Sequence, residues 1–167
     1  MFNVNNKSTD IPVVTQYART YSDPPERVRV SARGITVKDG KILLSYERNT
    51  DIYMSPGGGL EEGETLAECC KRELSEETGY KVKVNEEFIT IHEYCFETLY
   101  ISHYFFCEVL EQGKPSLTPT EIDHGIVAQW VDIEKAFEIF GGYDSKREDW
   151  RSLYRREFTV LNKISEE

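Results

Sequence analysis

Residues 56–80 read PGGGLEEGETLAECCKRELSEETGY. A glycine-rich loop opens this stretch, and an acidic helix follows the loop. Thr65 and Glu68 have the spacing of a capping box, in which the hydroxyl and the carboxylate each bind a free backbone N–H of the first helical turn. Gly79 suits the left-handed position that ends many helices. The stretch therefore predicts a helix from Thr65 to Thr78 behind a glycine loop.

The predicted helix carries three carboxylates on one edge. Glu73, Glu76 and Glu77 are spaced i, i+3 and i+4, which at about 100° per residue places them within roughly a third of the circumference. The adjoining sector is apolar and should face the core; it consists of Leu66, Ala67, Cys70 and Leu74. We therefore expect the carboxylate edge to point into a cleft beside the core.

Clustered carboxylates in a cleft need a partner of opposite charge. Like charges one turn apart destabilise a helix, and partial burial raises that cost unless a proton or a cation intervenes. Mg²⁺ takes oxygen ligands and shares one or two carboxylates with substrate phosphates. A loop carbonyl, such as that of Gly58, can supply another oxygen. The combination indicates a divalent-cation site for phosphate chemistry, although a glycine run or an acidic face alone is usually an ordinary loop or a solvated surface.

Strand patterns flank this stretch on both sides. The predicted strands are Val28–Val37, Ile42–Tyr46, Ile52–Met54, Val82–Val84, Phe88–Phe96, Tyr100–Leu110 and Ile126–Val131. Asp39-Gly40 is a strong hairpin turn. Residues 117–125 are expected to be a polar loop, and helices are predicted from Ile133 to Phe140 and from a cap at Asp144 or Ser145. This order favours an α/β (α+β) fold with a mixed sheet and helices packed on it.

The two ends of the chain differ in character. Residues 1–26 are polar and predict a loosely attached N-terminal arm, with a short strand at Ile11–Val14. Residues 27–167 predict a single domain that includes the C-terminal helix. That helix has an apolar stripe at helical spacing, from Trp150 to Ile164, which packs on the core or, alternatively, forms a homodimer interface.

Composition limits the partners and the location. The chain has 167 residues and a net charge of −10, which argues against broad nucleic-acid binding because such proteins present a basic face. The N-terminus lacks a signal-peptide pattern, and no apolar run approaches the roughly 20 residues of a membrane span. The four cysteines form no C-x-x-C pair, so buried reduced thiols are the simplest interpretation. We expect a cytoplasmic protein with no membrane partner.

The spacing within the central stretch resembles the signature of the Nudix hydrolase family. Gly58 is followed after five residues by Glu64, and after seven more by Arg72-Glu73-Leu74-Ser75-Glu76-Glu77-Thr78-Gly79-Tyr80. Tyr80 stands where the family usually has a bulky aliphatic residue, which is a mild departure. Tyr53, three residues before Pro56, stands where the family often has an aromatic residue. The resemblance implies a Nudix-like α/β/α sandwich with a mixed β-sheet.

The resemblance also implies an activity. Members hydrolyse a phosphoanhydride bond in a nucleoside diphosphate linked to another moiety, with Mg²⁺ or Mn²⁺ to polarise the bond and lower the pKa of a bound water. By position, Glu73, Glu76, Glu77 and the carbonyl of Gly58 match the metal-binding residues. Glu76, Glu77 and Arg72 are the implied catalytic residues, and Arg72 is also partly structural.

The general base is not specified by the motif. Glu76 and Glu77 are candidates for it. Glu121 or Asp123, in the predicted loop before Trp130, is an alternative base or an additional metal ligand. The plain interpretation of both loop acids is that they are solvated.

Substrate contacts lie outside the motif as well. Arg33 and Arg48 are candidates for phosphate contacts, and Tyr53 is a candidate for stacking on a base, although surface arginines and core tyrosines are common. Tyr94, Phe96 and Tyr100 are weaker candidates of the same kind. His92, His103 and His124 have no ligand spacing.

Two other functions are consistent with the same fold. One is isomerisation, and the other is nucleotide-ligand sensing by a module that no longer catalyses. The intact Glu-x-x-Glu-Glu pattern favours hydrolysis, because a chain without activity could lose its costly clustered charge. The small-molecule partner is a nucleotide derivative such as a nucleoside triphosphate, ADP-ribose or a sugar nucleotide, and the choice among them depends on loops outside the motif.

Overall fold

A computed structural model describes residues 10–167, so residues 1–9 of the predicted arm lie outside the described part. The strands of this part are β1 (Val13–Tyr21), β2 (Arg27–Ile35), β3 (Val37–Lys38), β4 (Lys41–Glu47), β5 (Ile52–Met54), β6 (Gly57–Gly59), β7 (Tyr80–Phe96), β8 (Thr98–Gln112) and β9 (Ile126–Asp132). Its helices are α1 (Leu66–Thr78), α2 (Pro119–His124), α3 (Ile133–Gly141), a short 3₁₀ helix (Tyr143–Ser145) and α4 (Glu148–Ser165).

The strands form two sheets. The larger sheet has five strands in the order β1-β7-β8-β2-β6. Its β1–β7 and β2–β8 pairs are parallel, and its β7–β8 and β2–β6 pairs are antiparallel. The smaller sheet is built around β4, which pairs with β3 and β5 on one edge and with β9 on the other. The predicted mixed sheet is confirmed, as is the hairpin turn at Asp39-Gly40 between β3 and β4.

Helices cover both faces of the larger sheet because successive side chains of a strand point to opposite faces. Ala32, Phe105 and Cys107 pack beneath α1. Tyr104 and Glu93 point the other way and bind side chains of α4. A larger core lies between the two sheets, α3 and α4. This arrangement confirms the predicted sandwich. Between residues 10 and 167, no helix is long and apolar enough to cross a membrane.

Helix α1 has the predicted ends. The Thr65 hydroxyl accepts a hydrogen bond from the Glu68 N–H at 3.2 Å, and the Glu68 carboxylate accepts one from the Thr65 N–H at 2.8 Å. Gly79 ends the helix with φ of 80°, a conformation that glycine adopts at little cost. Cys70 and Leu74 are buried. The capping signals therefore predict the bounds of α1, whereas the predicted core-facing sector is only partly right, because Ala67 is exposed and Cys69 is buried instead.

The N-terminal region is more firmly attached than the sequence predicts. Residues 13–21 form β1 at the edge of the larger sheet, where a loose arm with a strand at Ile11–Val14 was expected. Gln16 and Ala18 are buried, and the Gln16 amide donates to the Ser152 carbonyl of α4 at 3.0 Å. The free edge of β7 supplies backbone partners for polar residues as readily as for apolar ones. The division of the chain at residue 26 stays a prediction.

The expected loop before β9 contains a helix instead. Residues 119–124 form α2, because Thr118 and Glu121 make a second capping box and Pro119 occupies the first turn. Other elements also differ from expectation. Gly57–Gly59 of the expected glycine loop form the short strand β6 against β2, and the strand predicted from Val28 to Val37 is divided into β2 and β3. β7 is one long strand with register shifts near Glu87, and α4 begins after Arg147, later than the caps proposed at Asp144 or Ser145.

We expect Leu74→Ala to destabilise the protein by about 2–5 kcal/mol, because it removes a fully buried side chain that packs between α1 and the sheet. Urea unfolding of wild type and variant measures the difference. Leu110→Ala is the matched control, since Leu110 is exposed on β8 and should change stability by less than about 0.5 kcal/mol. Equal losses in the two variants would contradict the packing described for α1.

Candidate active site

The three predicted carboxylates differ in exposure along the edge of α1. Glu77 is 6% exposed, whereas the side chains of Glu73 and Glu76 are 17% and 46% exposed. The edge therefore runs from the interior to the surface, and it faces the glycine loop, since the Gly57 N–H donates to the Glu77 carboxylate at 3.3 Å. Glu73 and Glu77 thus lie at the inner part of the edge, and the expected cleft beside them stays a prediction.

Arg72 joins the glycine loop to the acidic edge. Its guanidinium binds Glu64 at 2.7 Å, Glu73 at 2.9 Å and Glu76 at 3.3 Å, and it donates to the Gly59 carbonyl at 3.2 Å. Hydrogen bonding to Arg72 lowers the pKa of Glu64 to about 2. On a helix, Arg72 lies one turn from both Glu68 and Glu76, which makes both carboxylates possible partners. The Glu76 pairing is present, but Glu68 caps the helix instead.

Gly58 is a place where the loop touches the helix. A Cβ atom added to Gly58 would lie 2.5 Å from the Glu73 carboxylate, so a side chain at this position requires the Glu73 carboxylate to move. The Gly58 carbonyl accepts from the Cys69 thiol at a sulfur–oxygen distance of 3.5 Å. Burial raises the pKa of Cys69 to about 11, which keeps this thiol protonated. The role of the Gly58 carbonyl as a metal ligand stays a prediction.

Burial disfavours the ionised form of the carboxylates toward the inner end of the edge. Burial raises the pKa of Glu77 to about 7, and the Arg33 charge and the Gly57 N–H offset only part of this effect. Burial likewise raises the pKa of Glu73 above its ordinary value, against the opposing effect of Arg72. The Glu121 charge adds to both upward shifts. Helix α2 therefore brings Glu121 near the acidic edge, although its carboxylate accepts the Thr118 N–H at 2.9 Å.

The residues of this edge fit a divalent cation. Three carboxylates and loop carbonyls are the hard oxygen donors that Mg²⁺ and Mn²⁺ accept, and burial disfavours the ionised form of Glu77. Across residues 10–167, no three acidic, histidine or cysteine side chains are already gathered as a ligand set. Arg72 instead holds Glu73 and Glu76, so a cation would compete with this guanidinium for both carboxylates.

A cavity of about 240 Å³ lies beside the loop, between the larger sheet and α4. Arg33 connects the cavity to the start of the glycine loop, because it lines the cavity and donates to the Ser55 carbonyl at 2.7 Å. Tyr100 and Phe96 also line the cavity, with Trp150 of α4. The cavity thus has a cationic side toward the loop and an aromatic side away from it.

The other predicted substrate-binding residues do not line this cavity. Arg48 donates to the Gly125 carbonyl at 3.1 Å, and Tyr53 stacks on Tyr46 with ring centroids 4.4 Å apart. Tyr94 stacks on Tyr17, 5.0 Å away, on the opposite face of the sheet. A wider depression of about 480 Å³ near Trp130 is lined by none of the predicted catalytic, metal-binding or substrate-binding residues.

The sequence analysis missed several cavity residues. Arg29 lines the cavity together with Arg33, and Glu93 and Arg156 form its buried wall. The alternation of Val28, Val30 and Ala32 was the available signal for Arg29, because it places Arg29, Ser31 and Arg33 together on the opposite face of β2. No local signal identifies Glu93 and Arg156, since their ion pair at 3.2 Å joins β7 to α4.

Comparisons with known proteins agree with this geometry. A family model described as the NUDIX domain matches residues 25–153. The 8-oxo-dGTP diphosphatase of Buchnera aphidicola subsp. Schizaphis graminum is 35% identical over 105 residues, which are 60% of this chain and 75% of that protein. A NUDIX hydrolase structure from Nitrosomonas europaea aligns with a TM-score of 0.59 and 26% identity, over 79% of this chain and 88% of that one.

A further relative is matched over a shorter stretch. The ADP-ribose pyrophosphatase of Methanocaldococcus jannaschii is 45% identical over 58 residues, which are 33% of this chain. That match spans about a third of the relative's length, 34%.

Without metal ions, we expect the stability of the wild type to fall as the pH rises from about 4.5 to about 7. The folded state holds the Glu77 proton through this window, whereas the unfolded chain has already released it. Glu77→Gln removes the free-energy cost of burying the ionised carboxylate. At pH 8 in EDTA the variant should therefore be more stable than the wild type by on the order of 2 kcal/mol. Urea unfolding across pH measures this.

The exposed loop variant Glu62→Gln is the control and should follow the wild-type profile. If Glu77→Gln loses stability in parallel with the wild type between pH 4.5 and 7, the buried-carboxylate interpretation is wrong.

Proposed function

Since this chain belongs to the Nudix family, we propose that it hydrolyses a phosphoanhydride bond in a nucleoside diphosphate linked to another moiety, with Mg²⁺ or Mn²⁺ as cofactor. One observation carries the proposal: the acidic edge of α1 is held against the glycine loop, next to a cavity that shares Arg33 with the loop. The cavity lies on the α4 face of the sheet and the carboxylates on the α1 face, so the phosphates of the proposed substrate would pass Arg33 and the glycine loop to reach the acidic edge.

Glu73, Glu76, Glu77 and the Gly58 carbonyl are the residues that would hold the cation. The cation supplies Lewis-acid polarisation of the phosphoanhydride and a bound water of lowered pKa. Arg72 bridges Glu73 and Glu76 through charge-assisted bonds, which offset the repulsion between them and restrict their rotamers. The protein would therefore contribute oxygen donors whose charge Arg72 partly balances until the cation binds.

The proton from the attacking water requires a base. Glu77, whose pKa burial raises to about 7, matches the pKa that general-base catalysis favours near neutral pH. Glu76 at the exposed end of the edge and Glu121 on α2 are the other candidates. The electrostatic effect of Glu121 on Glu73 and Glu77 supports keeping it as an alternative base or additional ligand.

We place the rest of the substrate in the cavity between the sheet and α4. Arg33 and Arg29 offer charge-assisted hydrogen bonds to phosphate oxygens, and Tyr100 and Trp150 offer flat apolar surface for a base. Substrate roles for Arg48 and Tyr53 stay predictions, because both side chains contact other parts of the protein.

The names of the relatives suggest which substrates to test. One relative is named for ADP-ribose and another for 8-oxo-dGTP. The decisive assay therefore offers a panel of nucleoside triphosphates, 8-oxo-dGTP, ADP-ribose, sugar nucleotides and dinucleoside polyphosphates with Mg²⁺ or Mn²⁺. Product analysis identifies the bond that is cleaved.

The cysteines support a cytoplasmic location as part of this proposal. All four are free and buried, which suits a reducing compartment. A homodimer stays a prediction.

We expect Glu76→Gln to lower kcat by at least about 100-fold on the best substrate of the panel, because it removes a charged donor or a base from the acidic edge. Glu76 is half-exposed, so the variant should fold normally. Glu62→Gln, an equivalent change on the exposed loop, should keep wild-type kcat, and chelation of the metal should abolish turnover in both. Full activity of Glu76→Gln would overturn the assignment.

We expect Arg29→Ala to raise KM about 5–10-fold with little change in kcat, because it removes a hydrogen bond to phosphate that ground state and transition state share. Arg27→Ala is the matched control. Arg27 lies two residues away on the same face of β2 but pairs with Glu97 rather than lining the cavity. Steady-state kinetics compare the two variants. An equal KM in both would contradict the proposal that the substrate phosphates bind in this cavity.

A further inference from the structure

Glu157 is a buried carboxylate on α4, outside the region that the family model matches. It is 1% exposed, and both of its oxygens are engaged. One oxygen accepts from the Tyr104 hydroxyl at 3.2 Å and from Arg156 at 3.1 Å. The other accepts from the Ser55 hydroxyl at 2.5 Å. The carboxylate therefore links α4 to the sheet and to the residue before Pro56.

Ser55 has every polar group bound. Its N–H donates to Glu157 at 3.3 Å, its hydroxyl donates to the same carboxylate, and its carbonyl accepts from Arg33. The next carbonyl, of Pro56, accepts from the Gly34 N–H at 3.0 Å, and the Gly57 N–H reaches Glu77. The contact with α4 is thus three residues from the Gly58 carbonyl.

Stability alone does not explain a buried carboxylate here. Burying an ion pair such as Glu157–Arg156 commonly contributes no more stability than apolar residues of the same volume. The directional hydrogen bonds to Ser55 fix the position of the backbone that enters the glycine loop, which apolar packing would not do. Tyr154, on the same helix, adds a second tie by accepting the Tyr53 N–H at 3.0 Å.

We propose that Glu157 is a positioning residue, which acts through Ser55 to hold the glycine loop against the acidic edge of α1. This inference rests on the proposed function, because it takes that edge and the Gly58 carbonyl as the cation site. Outer partners that orient metal ligands typically change metal affinity by about 10–100-fold when they are lost. α4 is accordingly part of the site rather than only a cover for the core.

The test compares two variants that each remove one hydroxyl from the same carboxylate. Ser55→Ala removes the hydroxyl contact with the loop at 2.5 Å and leaves the longer backbone N–H contact at 3.3 Å, whereas Tyr104→Phe removes the contact with the sheet. Mn²⁺ binding is followed by electron paramagnetic resonance in the full chain, and hydrogen–deuterium exchange of metal-free protein is followed in peptides that cover residues 54–60. Thermal unfolding shows that both variants fold.

We expect Ser55→Ala to weaken Mn²⁺ binding about 10-fold and to speed exchange at Gly57–Gly59, while Tyr104→Phe keeps wild-type values for both even if its Tm falls. Equal Mn²⁺ affinity and equal exchange in the two variants overturn the proposal. If the wild type does not bind Mn²⁺, or if Glu73→Gln does not abolish the Mn²⁺ binding, the proposed function fails instead. The exchange measurement then still decides whether Glu157 orders the loop.

Discussion

The site depends on one guanidinium among carboxylates. Arg72 binds Glu64, Glu73 and Glu76 and the Gly59 carbonyl. Without it, the acidic residues of α1 would repel one another and the glycine loop would lose its tie to the helix. Arginine suits this place because its planar fork binds several oxygen acceptors at once and stays charged. Under the proposed function, a cation would compete with Arg72 for Glu73 and Glu76.

A second set of charges ties the site to the opposite side of the sheet. Glu93 and Glu157 share Arg156 in a region almost closed to water, and Ser55 connects this network to the loop. The two ionic networks lie on opposite faces of β2, with Arg33 between them. The glycine loop is thus held from both sides, by α1 through Arg72 and Glu77 and by α4 through Ser55.

Features with local causes were predictable from the sequence. Thr65, Glu68 and Gly79 specify the ends of α1 because capping acts within a few residues, and the same logic applied to Thr118 and Glu121 would have revealed α2. Features with distant causes were not predictable. Gln16 and Glu157 are polar residues that become buried only because partners far along the chain satisfy them. The acidic edge was thus predicted from spacing, whereas the cavity wall required the tertiary structure.

The close approach at Gly58 limits what mutagenesis can reveal about this protein. A Cβ atom there would lie 2.5 Å from the Glu73 carboxylate, so a substitution at Gly58 also moves a carboxylate of the acidic edge. A loss of activity in a Gly58 variant can therefore result from the displaced Glu73 carboxylate and does not show that the Gly58 carbonyl is a ligand. The backbone oxygen itself is changed only by chemistry that alters the main chain, such as replacement of an amide by an ester. In a site built partly from backbone atoms, tolerance to substitution measures available space rather than the contribution of a ligand.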